Sequence, residues 1–103
     1  MIKLFLDDER HPPADATIWR IARTVQQAIT YMEENGCPPF ISFDHDLGEN
    51  QPTGFDLAKW MVERDLDSQG QFFADGFQYY VHSQNPVGVQ NIKGLLDNYL
   101  AQR

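Results

Sequence analysis

Cysteine and positive charge are the two things this chain has least of. Its single cysteine, Cys37, excludes an internal disulfide and fits a reducing compartment. It lies in the turn Gly36-Cys37-Pro38-Pro39, with no base or cation near it in sequence. A thiol in that setting reads as buried and structural rather than nucleophilic. The 8 Lys and Arg stand against 15 Asp and Glu, a net charge of −7, and they form no stripe. That excludes a surface built to grip an extended nucleic acid. A small phosphorylated ligand stays compatible if something offsets the acids locally. No apolar run approaches the ~20 residues that cross a bilayer, so no membrane association is expected. Asp7, Asp8 and Glu9 interrupt the first apolar stretch, so no leader peptide is expected and the cytoplasm is the expected location. Internal repeats and low-complexity segments are also missing, which excludes solenoids and tails.

What remains is a folded domain of ordinary composition. Residues 1–103 are enough for one domain, and 42% hydrophobic against 22% charged residues can build a core. Three apolar, β-preferring runs stand out: residues 2–6, 40–43 and 77–81. Each is followed at once by polar and ionisable residues: Asp7-Asp8-Glu9-Arg10, Asp44-His45-Asp46, and His82-Ser83-Gln84-Asn85. Runs of this kind suit strands buried on both faces, with tips that meet a site. Between the first two runs, Pro12-Pro13 keeps the loop from becoming helical. Residues 18–34 carry apolar side chains at helical spacing, yet Thr24 and Gln27 form a capping pattern. The reading adopted is a strand at 18–22 and a helix from Val25, ended by Gly36. Thr53 caps a second helix with Asp56 in its first turn. Phe72-Phe73 packs beneath the last strand. Pro86 opens a third helix with a stripe of Val89, Ile92, Leu95, Leu96, Tyr99 and Leu100.

Strands alternating with helices predict an α/β fold with a mostly parallel sheet. Right-handed crossovers place parallel strand ends on one edge, where ligands of such folds bind. Asp7, Asp8, Asp44, Asp46, His45, His82 and Ser83 would meet there. Two carboxylates about 4 Å apart repel by about 4 kcal/mol at an effective dielectric near 20, and a helix cap returns only about 1 kcal/mol. A divalent cation is the simplest offset, with Asp7, Asp8 and Asp44 as ligands and Asp46 as a ligand or an orienter of a histidine. Oxygen ligands suit Mg²⁺, Mn²⁺ or Ca²⁺, with Mg²⁺ or Mn²⁺ expected. The alternative is that one acid is protonated, or that the acids point apart and cap turns. His45 and His82 would move protons as general base and acid, useful for opening a cyclic phosphodiester. The alternative for each is a structural role. His11 reads as exposed or supporting. Ser83, Asn85, Gly88 and Arg10 are candidates for holding phosphate, with Asn85 capping a helix whose first amides face the site. The alternative for Asn85 is a cap alone, and for Arg10 a pair with Glu9.

These motifs, in this order and spacing, resemble the cyclic-phosphate-processing receiver-like family of bacteria and phages. The resemblance rests on Leu6-Asp7-Asp8-Glu9-Arg10 with Pro12-Pro13, Ser42-Phe43-Asp44-His45-Asp46-Leu47-Gly48, Thr53-Gly54-Phe55-Asp56 and Val81-His82-Ser83-Gln84-Asn85-Pro86-Val87-Gly88. It implies a three-layer flavodoxin- or receiver-like sandwich with about four strands, reduced from the five of a receiver. It also implies action on cyclic phosphate ends, such as 2′,3′-cyclic nucleotides or RNA ends. The chain departs from the family pattern at Val89, where a basic residue is common. No fifth strand ending in lysine follows the helix with Lys93, which counts against Asp44 as a phosphoacceptor. Three functions are therefore in view. The first is a metal-dependent phosphoesterase. The second is a phosphoacceptor switch. The third is a binding module without turnover, such as a phage factor acting on a host protein of unknown identity.

Overall fold

The computed structural model describes residues 2–103. The chain runs β1 (Ile2–Leu6), β2 (Ile18–Ala22), α1 (Val25–Asn35), β3 (Phe40–Phe43), α2 (Gly54–Asp67), β4 (Gln78–Val81) and α3 (Pro86–Gln102). All strand pairings are parallel, in the order β2-β1-β3-β4. This is a four-stranded receiver-like α/β fold, as the motif order implied.

The strand at 18–22 and the helix from Val25 form as the capping pattern predicts. The Thr24 hydroxyl accepts the Gln27 amide at 3.1 Å, while the Gln27 side chain reaches back to the Arg23 amide at 2.7 Å. At α2, Thr53 and Asp56 make a complete reciprocal cap, which satisfies two amides that the helix start leaves without partners.

Alternation along the strands divides the sheet into two unlike faces. Leu4, Leu6, Ile41 and Phe43 point to one side and join Met32, Leu57, Met61, Ile92 and Leu96 in a single core. All three helices contribute to that core. The crossovers from β2 to β3 and from β3 to β4 step the same way along the sheet, so right-handedness puts their helices on one face. The β1-to-β2 connection steps the other way and is the irregular segment 7–17. On the second face the layer beside Phe5, Trp19, Phe40, Ser42 and Tyr80 is therefore a loop rather than a helix. No helix among the described residues is long and apolar enough to cross a membrane.

Candidate functional site

All three apolar runs are parallel strands, and their carboxyl ends lie on one edge. β1 ends into Asp7, β3 into Asp44 and β4 into His82. The first contacts beyond the strands continue the ladder: the Asp44 amide donates to Leu6 O at 2.9 Å and the His82 amide to Phe43 O at 2.9 Å. One carboxylate oxygen each from Asp7 and Asp44 and one ring nitrogen of His82 lie within 4.8 Å of one another. These groups are sunk: Asp7 is 1% exposed and Asp44 6%. Asp7 and Asp44 form the floor of a cleft of about 470 Å³ whose walls carry Asp8, Glu9, Arg10, Asp46, Ser83 and Asn85, and His82 stands behind Asp7.

The two buried acids are held differently. Burial raises the Asp7 carboxyl, but the Arg10 and Glu9 amides on Oδ1, both at 2.8 Å, together with His82 hold it below the usual carboxylate range. Burial also raises Asp44, and the charge of Asp7 beside it adds to the rise. The His45 amide, His82 and Ser83 offset this only in part, so Asp44 sits above its ordinary value. An ionised Asp7 next to an acid that resists ionisation is a pair short of positive charge.

His82 is the most constrained of the three groups. Asp7 can only accept, so His82 Nε2–H donates to Asp7 Oδ2 at 3.0 Å. The Ser42 hydroxyl pairs with Nδ1 at 2.7 Å on the other side of the ring. Phe5 stacks flat on the imidazole at 4.6 Å between centroids. Ser42 is the residue the motif reading passed over. Its signal was present, since a lone hydroxyl inside an apolar strand, on the face away from the core, needs a partner. Arg23 was also missed. Its Nη1 donates to the Asp7 and Arg10 carbonyls at 3.0 and 2.6 Å, fixing the start of the 7–17 loop, and nothing in its sequence context marks it.

The remaining candidates are distributed around this floor. Asp8 lines the cleft but stands outside the close cluster of Asp7, Asp44 and His82. Arg10 approaches Asp7 Oδ2 at 3.7 Å and donates to His82 O at 3.3 Å, so its partner is the floor and not Glu9. Ser83 lies beside Asp44, where it helps hold that carboxyl down, and accepts the Asn85 amide at 3.1 Å. His45 turns away: its Nδ1–H donates to Asp46 Oδ1 at 2.9 Å, and its ring rests on Gly88, where a Cβ would come within 2.3 Å of it. Asp46 also accepts from the Asn85 amide group, at 3.2 and 3.4 Å. The His45 bond leads in holding the Asp46 carboxyl below its ordinary value, against a smaller rise from burial. Asn85 caps α3 by accepting the Gly88 amide at 3.0 Å, and its carbonyl takes the Val89 amide at 2.9 Å. Pro86 has no N–H, so Val87 carries the one first-turn amide left for a ligand. His11 is exposed in the 7–17 loop.

The residues present fit a small divalent cation. Asp7 and Asp44 converge with too little positive charge between them, and Asp8 and Asp46 stand at the rim. Carboxylate oxygens with room for water are the donor set that Mg²⁺ and Mn²⁺ favour. His82 then stands as the partner that orients Asp7.

No curated protein and no solved structure matches the chain at a significant level. The family model for the cyclic-phosphate processing receiver domain matches residues 2–98. With nearly the whole length matched, and with three strand ends meeting at one acidic cleft, the chain belongs to the cyclic-phosphate processing receiver domain family.

Proposed function

We propose that the cleft is a phosphoesterase site that opens a cyclic phosphodiester, such as a 2′,3′-cyclic nucleotide or an RNA end, with Mg²⁺ or Mn²⁺ held by Asp7 and Asp44. The observation that carries this reading is the closeness of two buried carboxylates to one imidazole whose N–H faces them. When bound, the cation supplies positive charge against the phosphate and acidifies a water. Asp44 is the ligand with most to gain, because burial and the charge of Asp7 disfavour its ionised form more than His82 and its hydrogen bonds offset. Arg10 and Ser83, on the cleft wall, bind phosphate oxygens. In turnover the His82 Nε2–H leaves Asp7 and passes its proton to the departing ribose oxygen, and Nε2 takes one back from the attacking water, so that water adds across one P–O bond. Ser42 keeps the ring oriented throughout. His45 acts at one remove, holding Asp46 and the start of α3. The single thiol fits a reducing compartment, and burial raises it to about 11, so it stays protonated at neutral pH. We place the reaction in the cytoplasm.

The test is hydrolysis of adenosine 2′,3′-cyclic monophosphate with Mn²⁺ or Mg²⁺. Product should form with cation and disappear with chelator or in Asp44→Asn. His82→Gln should lose roughly 10²–10⁴-fold in rate, the range of general acid–base contributions. Undiminished product in chelator and in Asp44→Asn would contradict the proposal.

A further inference from the structure

On the helix-free face of the sheet lies a second concavity of about 400 Å³, walled by Phe5, Trp19, Phe40 and Tyr80. We infer that this groove seats the nucleobase of the ligand whose phosphate the acid cleft takes, an inference that rests on the reading of that cleft given above. Four observations carry it.

The first is continuity. Arg10 lines both concavities, and the His82 ring is bonded to Asp7 in the cleft while it lines the groove. The groove and the cleft therefore adjoin at Arg10 and at the His82–Asp7 contact, so one ligand can reach into both. The second is chemistry. Aromatic rings bind a base by stacking, whatever its identity. Trp19 meets Phe5 edge-on at 5.7 Å and Phe40 at 6.1 Å, which fixes its ring plane, and Tyr80 stands 62% exposed on the same face. A parallel sheet ordinarily has both faces covered, so an aromatic this open on one is unusual. The third is charge. Among the described residues no carboxylate lines the groove, in a chain of net charge −7, whereas Lys3, Arg10 and His11 do; Asp15 lies near Lys3 and the Trp19 indole without lining it. Lys3 Nζ lies 4.7 Å from the Phe40 ring centre. An anionic, flat molecule suits this lining. The fourth is size, since the volume is that of a small-molecule pocket and too little for a partner helix.

The test is a titration with adenosine, which has no phosphate, in the presence of chelator, followed by NMR at the Trp19 indole N–H and the Tyr80 amide. Both resonances should shift saturably with adenosine and not with ribose 5-phosphate. Tyr80→Ala should weaken binding roughly 5- to 150-fold, the measured range for loss of one stacking ring, and Tyr80→Phe should retain it. Because neither cation nor phosphate is involved, failed hydrolysis leaves this result intact. Conversely, hydrolysis without adenosine binding would remove the groove and spare the cleft. Unmoved resonances at millimolar adenosine, or equal affinity in Tyr80→Ala, would overturn the inference. So would resonances that shift with protein concentration alone, which would mean that a second copy covers this face.

Discussion

At the scale of single residues, the site is an electrostatic debt concentrated on Asp44. Its folded-state carboxyl is raised by burial and then by the charge of Asp7. A carboxyl raised on folding favours the fold most at low pH, and that contribution is lost as pH rises through the carboxylate range. At neutral pH the ionised Asp44 therefore destabilises the cation-free protein. Asp44→Asn keeps an acceptor for the His45 amide and removes the charge. Its thermal midpoint without cation is expected to rise, on the order of 1 kcal/mol in stability, the usual size of relief when a functional site is neutralised. A lowered midpoint would mean that the charge is already compensated within the chain. The motif spacing made Asp7, Asp44 and His82 legible, because each follows an apolar run at the same position. It could not order the acids by burial. That is why Asp8 looked equal to Asp7 in the sequence yet stands at the rim.

At the scale of elements, two helix starts are pressed onto the β3 tip, and glycine is what permits both contacts. A Cβ on Gly54 would fall 2.0 Å from the Asp44 carbonyl oxygen, where the Gly54 amide donates to His45 O at 2.9 Å. A Cβ on Gly88 would strike the His45 ring. Gly88→Ala should therefore destabilise by about 1–3 kcal/mol, the range for overpacking. His45→Ala should remove the obstacle, so the double variant should be more stable than the two single losses predict. A denaturant double-mutant cycle measures this, and a coupling of zero would mean that ring and helix are independent. The caps at Thr24, Thr53 and Asn85 could be read from local sequence because a cap is a local contact. His45 packing on Gly88 joins residues 43 positions apart, and no periodicity encodes that. The loop layer at 7–17 was half legible: Pro12-Pro13 ruled out a helix there but did not reveal that one sheet face would stand open.

At the scale of the whole molecule, the end opposite the site is fastened by another buried acid that the apolar stripes concealed. Asp65, fully buried in α2, accepts the Phe72 and Phe73 amides at 2.9 Å and the Tyr99 hydroxyl at 2.6 Å, and pairs with Arg103 at 3.2 Å. It ties α2, the segment before β4 and the end of α3 together. Burial raises its carboxyl, but Tyr99, the two amides and Arg103 outweigh that and hold it below its ordinary value. A carboxyl lowered on folding stabilises above its unfolded value, and the contribution is lost as pH falls through the folded one. Unfolding followed between neutral pH and about pH 3 should show stability falling in acid, with a shallower fall in Asp65→Asn. At neutral pH that variant should cost about 2–3 kcal/mol, the size of a charged hydrogen-bond group lost from a buried network. Identical acid profiles would assign the acid sensitivity elsewhere. The fold was legible at this scale because strand and helix patterns alternate cleanly, whereas Asp65 sits inside an apolar helical pattern and reads as an ordinary surface acid.

The account turns on whether Asp7 and Asp44 together hold one cation, and calorimetric titration of Mn²⁺ into the chelator-stripped protein measures that directly. One binding event per chain is expected for the native sequence and none for Asp44→Asn, with the variant folded by its thermal midpoint. The same heat and stoichiometry in both proteins, or no heat in either, would contradict it.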